Sequence, residues 1–174
     1  MTSGALRRGL DALYDGAAWL AAFFMIGLLA MVLLSIAGRQ FHFHLPGTDS
    51  YAGYMMAAAG FLALAHTFKR NEHIRVTLLL SSLRGTPRRA LEIWALAAAV
   101  LLAALAAYYS CRLSWQSYTF HDVSTGNDAT PLWLPQLSMA AGSVILVIAI
   151  LDDLVLELRG RRIIAQSDEA TRNE

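Results

Sequence analysis

Four stretches of the chain, residues 16–37, 51–68, 93–111 and 131–151, contain no Asp, Glu, Lys or Arg and consist mostly of aliphatic and aromatic residues. Each is 18 to 22 residues long. A helix of about 20 apolar residues crosses a hydrocarbon core roughly 30 Å thick, and only a helix satisfies its own backbone hydrogen bonds within one segment. The pattern predicts an all-α membrane protein with four transmembrane helices. The polar segments between and around the spans are too short for an independent globular domain, so residues 1–174 are expected to form one transmembrane domain, with 159–174 a polar tail.

The distribution of cations orients the spans. With an even number of spans both termini share a side, and that side carries 12 Lys and Arg residues against Arg39 and Arg112 on the other. The positive-inside rule then predicts cytoplasmic N and C termini. Arg7 and Arg8 followed by an apolar run also resemble a signal peptide. That run is longer than the roughly 7 to 15 residues of a secretory signal, and it is read as a retained anchor. Trp19, Trp94, Trp115 and Trp133 all lie near span ends, where an indole ring finds both an apolar and a polar environment.

Between the second and third spans, Val76, Leu79, Leu80 and Leu83 recur at helical spacing and are flanked by Lys69, Arg70, Arg84, Arg88 and Arg89. This predicts a short amphipathic helix in the cytoplasmic interface, its cations near phospholipid heads. Thr86 is the expected cap and Pro87 the first helical residue of the lead-in to the third span. Small residues at helical spacing predict helix-contact faces: Gly53, Ala57 and Gly60; Ala99, Ala103 and Ala106; Ser138 and Gly142.

Composition narrows the function. Hydrophobic residues are 56% of the chain, charged residues 16%, and the net charge is +1, so no nucleic-acid partner is expected. One cysteine, Cys111, makes neither an internal disulfide nor a zinc site. Among the spans only His66 is a candidate haem or metal ligand. His42 and His44, His73 and His121 fall in different loops, so no two histidines are expected to face each other at one depth. Asp152 and Asp153 are read as a wet helix end, paired with the charges next along the chain. Binding an ion or anion within the membrane calls for broken helices or polar groups at mid-bilayer; Pro135 and Gln136, near the outer end of the fourth span, come nearest and are read as a helix-start kink, so no catalytic residue, metal site or cofactor is expected.

Gly38-Arg39 closing the first span, Pro46 and Asp49 before the second, and the run Lys69-Arg70-Asn71-Glu72-His73-Ile74-Arg75-Val76 after it resemble the small, DctQ-like membrane subunit of tripartite ATP-independent periplasmic (TRAP) transporters. The segment Thr130-Pro131-Leu132-Trp133-Leu134-Pro135 extends the resemblance into the fourth span, while Thr77 stands where many members carry an acid. The resemblance implies a non-enzymatic subunit of the bacterial inner membrane. It would brace a large multi-span subunit that carries organic acids and the coupling sodium ions, supplied by a periplasmic substrate-binding protein. Interface or structural roles are expected for Arg39, Asp49, His73, Arg75, Pro131, Trp133 and Pro135, with Arg39 pairing with Asp49 or with an external carboxylate or phosphate. The rival readings are a haem-bearing electron-transfer subunit and an orphan membrane scaffold.

Overall fold

The computed structural model describes residues 4–43, 45–69, 86–126 and 128–160, with the side chains of 4–6 and 86 excepted. These form four helices: α1 (Gly4–Gln40), α2 (Thr48–Lys69), α3 (Thr86–Thr119) and α4 (Trp133–Leu158). The expected interfacial helix, with His73 and Arg75, and the tail from Arg161 onward lie outside the described residues.

Helices α1, α3 and α4 are long and apolar enough to cross a membrane. Helix α2 is not among them, because Tyr51, Tyr54, His66, Thr67 and two glycines dilute its apolar residues. The helices also outrun the uncharged stretches. At about 1.5 Å per residue, α1 is about 55 Å long, and α3 continues through Arg112, which was expected in the outer loop, to Thr119. Helix α4 begins at Trp133, two residues later than expected. The exposed rings of Trp94 and Trp115 on α3 are 21 residues apart, about 32 Å along a helix, which matches the hydrocarbon thickness.

Successive helices run antiparallel and pack as a row, α1 on α2, α2 on α4 and α4 on α3, with only slight contact between α1 and α4. Two small clusters hold the row together. Tyr14, Ala65 and Ala149 join α1, α2 and α4, and Leu96, Ala103 and Ile150 join α3 to α4. Much of the remaining apolar surface is open, including Phe23 and Ile26 on α1 and Leu101 and Leu102 on α3, as suits helices whose solvent is lipid.

Small residues make most of the seams on α2 and α3. On α1 the buried and half-buried positions 14, 17, 21, 24, 28, 31, 35 and 38 alternate steps of three and four, the spacing that keeps one stripe against a neighbouring helix. On α3 the buried stripe is Ala103, Ala107, Ser110, Ser114 and Ser117. Ala106, expected on this face, is exposed. The Gly53, Ala57 and Gly60 stripe is likewise exposed, with nothing within 4 Å of a side chain placed at either glycine. Helix α2 instead buries Ala58, Ala59, Leu62 and Ala65. Both stripes have helical spacing, and only the position of the neighbouring helices decides between them. Gly142 does lie at a contact: a Cβ there would be 2.5 Å from the Phe61 carbonyl carbon of α2. The two backbones touch at that crossing.

Candidate functional site

Because helices successive in the chain are antiparallel, the polar residues at their ends gather into two clusters with an uncharged middle between them. At the first end, the C-terminus of α2 meets α4. Lys69 Nζ bonds both Asp152 and, at 3.0 Å, Asp153, and it lies 5.4 Å from the ring centre of Tyr14 on α1. All three charged side chains are at least three-quarters buried. This corrects the expectation of a wet helix end: the two carboxylates are largely buried and share a partner from α2, while Arg161 and Arg162, among the charges expected to pair with them, lie outside the described residues. His66 lies 3.6 Å from Asp15 of α1, so its neighbour is a carboxylate. Arg89 of α3 donates to the last carbonyls of α4, Glu157 O at 3.3 Å and Leu158 O at 3.1 Å, satisfying groups a helix end leaves open.

The opposite end is built from the α1–α2 and α3–α4 loops. Helices α1 and α3 stop in the same way. His42 and His121 adopt positive φ of 57°, and the next amide turns back to an earlier carbonyl, Phe43 N to Gly38 O and Asp122 N to Ser117 O, both at 3.0 Å. This is the Schellman closure, with histidine in the left-handed position that glycine usually takes. Arg39, in the last turn of α1, then lies 4.0 Å from Asp49 in the first turn of α2. Ser35 donates to the same carboxylate at 3.3 Å. Each charge sits at the helix end whose dipole favours it.

The α3–α4 loop folds on itself. Ser124 N bonds Thr130 O at 2.8 Å and Leu132 N bonds Asp122 O at 3.0 Å, flanking an antiparallel bridge between Val123 and Pro131. Proline is tolerated there because these flanking residues supply the amide donors. Pro135 falls in the first turn of α4, where its missing N–H has no helical partner to lose, and its carbonyl accepts from Ser138 at 2.7 Å. Trp133 differs from the other three tryptophans. Its ring packs edge-on to Tyr118 at 5.6 Å and its carbonyl accepts from Ser114 at 3.4 Å, so it joins α3 to α4 besides marking a boundary.

Asp128 is the centre of this end, and nothing in the sequence pattern singled it out. Ser124 donates to its Oδ1 at 2.8 Å and Tyr54 of α2 to its Oδ2 at 3.0 Å. Thr130 Oγ1 lies 3.3 Å from Tyr51 Oη, extending the network along α2. Hydrogen bonding to the charged carboxylate, from Thr130 foremost and then Ser124 and Tyr54, holds its pKa far below the ordinary 3.8. A depressed folded-state pKa contributes stability that is present above the ordinary value and drains away as pH falls below it. Asp128→Asn is therefore expected to be less stable than the parent at neutral pH and to lose less on acidification. Thermal melting in detergent from about pH 6 to about pH 3 checks this; parallel losses would contradict it.

Among the described residues no three His, Cys, Asp or Glu side chains gather into a metal-binding group. What the two clusters can do is fasten helix ends to one another and present charged, hydroxyl-rich surfaces at the two ends of an apolar row.

Residues 28–160 match the family model described as tripartite ATP-independent periplasmic transporters, DctQ component. The chain belongs to the DctQ family. It is a multi-pass membrane component of a TRAP transporter, a secondary transport system with a periplasmic binding protein, and not an enzyme. No individual curated protein matches it. The matched region of this DctQ component takes in Arg39, Asp49, Lys69, Asp128, Gly142, Asp152 and Asp153; Tyr14 and Asp15 precede it.

Proposed function

We propose that this DctQ component is the stationary brace of a sodium-coupled TRAP transporter for organic acids, holding the large multi-span subunit that carries substrate and sodium. The observation that supports a brace is the placement of charge: the described ion pairs fall at the helix ends, and the uncharged stretches between them hold no Asp, Glu, Lys or Arg. A transport site at mid-bilayer needs unwound backbone or polar groups, and α1, α2, α3 and α4 run unbroken.

In this reading all four helices cross the inner membrane as one domain. The support for α2 as the fourth crossing is its reach, since Lys69 at one end meets Asp152 and Asp153 while Tyr54 near the other meets Asp128. Lys69, Arg88 and Arg89 share the end that the positive-inside rule assigns to the cytoplasm, with the termini and the polar tail. His73 and Arg75 anchor the intervening segment to phospholipid heads or to the large subunit. Arg39 pairs with Asp49 or with an external carboxylate or phosphate, and Pro131, Trp133 and Pro135 shape the periplasmic surface toward the binding protein. The test is sodium-driven uptake into liposomes carrying the large subunit and the binding protein, with and without this chain. Uptake that needs the chain supports the brace.

A further inference from the structure

Between the end of α1, the α1–α2 loop and the start of α2 lies a cavity of about 580 Å³, within the range of about 300–1,000 Å³ typical of small-molecule sites. Its lining includes Leu34, Ser35, Arg39, Phe43, Thr48 and Asp49. We propose that this cavity binds the headgroup of an amine-bearing glycerophospholipid, with Arg39 holding the phosphate and Asp49 the ammonium.

Three observations carry the assignment. First, the cavity offers one cation and one anion, and their side chains are 78% and 83% exposed at a separation of 4.0 Å. An ion pair that long and that wet is worth little by itself, so each charge is free to turn to a ligand at small cost. Phosphoethanolamine carries its phosphate and its ammonium two carbons apart, which matches one partner of each sign on a single rim. Second, the loop at the cavity displays Phe41 to the outside, while Phe43 and Leu45 line the cavity and remain partly exposed. Three exposed apolar side chains in so short a loop suit burial among lipid headgroups and upper acyl chains rather than projection into water. Third, Leu34 on α1 continues the lining downward from the charged rim, giving the glycerol and first acyl carbons an apolar wall.

The experiment is native mass spectrometry of the detergent-purified full chain after incubation with phosphatidylethanolamine or with phosphatidylglycerol of the same acyl chains. The parent is expected to retain the ethanolamine lipid in preference. Arg39→Gln should weaken retention of both lipids about tenfold, the effect of losing one charge-assisted hydrogen bond. Asp49→Asn should lower retention of the ethanolamine lipid to that of the glycerol lipid, removing the preference. Both side chains are exposed, and circular dichroism confirms that each variant keeps its helices; if Arg39→Gln fails to fold, the preference lost in Asp49→Asn decides. Equal retention of both lipids by the parent, or retention unchanged in both variants, overturns the proposal. So does unchanged lipid retention with lost capture of the periplasmic binding protein, which would assign the rim to protein docking. The lipid readout uses the chain alone, so it fails or succeeds independently of the brace.

Discussion

Gly142→Leu is expected to cost about 3 kcal/mol or more of stability, at the upper end of what overpacking does, and to force α2 and α4 apart. The cause is specific. The first side-chain carbon at position 142 would clash with the carbonyl oxygen of Phe61 and stand 2.5 Å from its carbonyl carbon. Those atoms are backbone inside α2, so no rotamer change relieves the contact, and a shift of the helix disturbs the packing of Ala149 and Ala65 along the same seam. Gly142→Ala should already lower the melting temperature in detergent, with leucine lower still. Gly53→Ala and Gly60→Ala, at open positions, should leave it unchanged or raise it slightly, because alanine favours helix by about 1 kcal/mol. Equal melting of the Gly142 and Gly60 variants would contradict the close crossing.

Lys69→Met is expected to be nearly as damaging. Asp152 and Asp153 are adjacent in sequence, their side chains only 24% and 13% exposed, and Lys69 bonds both. Removing the cation from a largely buried ionic group costs about 3–5 kcal/mol. Here two like charges would remain side by side, while the apolar methionine would still cover Tyr14. The diagnostic is rescue. Lys69→Met combined with Asp152→Asn and Asp153→Asn should recover much of the loss in thermal melting, because a neutral amide costs far less to bury than a carboxylate ion. A single variant that melts like the parent, or a triple variant no better than the single, would show that this triad does not hold α2 to α4.

The four helices were legible because a membrane imposes a coarse rule: long runs without charge must be helical, and residues 16–37, 93–111 and 131–151 fall within helices or begin just before one. Where each helix ends was less legible. Arg112 and Trp115 read as loop because the count of uncharged residues stops at Arg112, yet α3 continues for two further turns. The faces were read less well than the elements. In soluble helices the polar side identifies the exposed face, whereas in α2 and α3 alanine and glycine occur on every side. Spacing therefore pointed to Gly53 and Gly60, which are open, and to Ala106, whose neighbour Ala107 is the buried one.

At the helix ends, Arg39 and Asp49 were readable as a pair because each closes or opens a helix across a short loop. The partnership of Lys69 with Asp152 and Asp153 spans more than eighty residues of sequence and depends on α2 lying beside α4, which periodicity does not encode. Asp128 was invisible for the same reason. Its three hydroxyl neighbours come from two segments that meet only when the α3–α4 loop folds back on the tyrosines of α2.

The most direct measurement of the central claim is sodium-driven uptake in liposomes holding this chain alone, the large subunit alone, or both, each with the binding protein present. Accumulation only when both membrane components are present is the predicted result. Accumulation in liposomes containing this chain alone would contradict it.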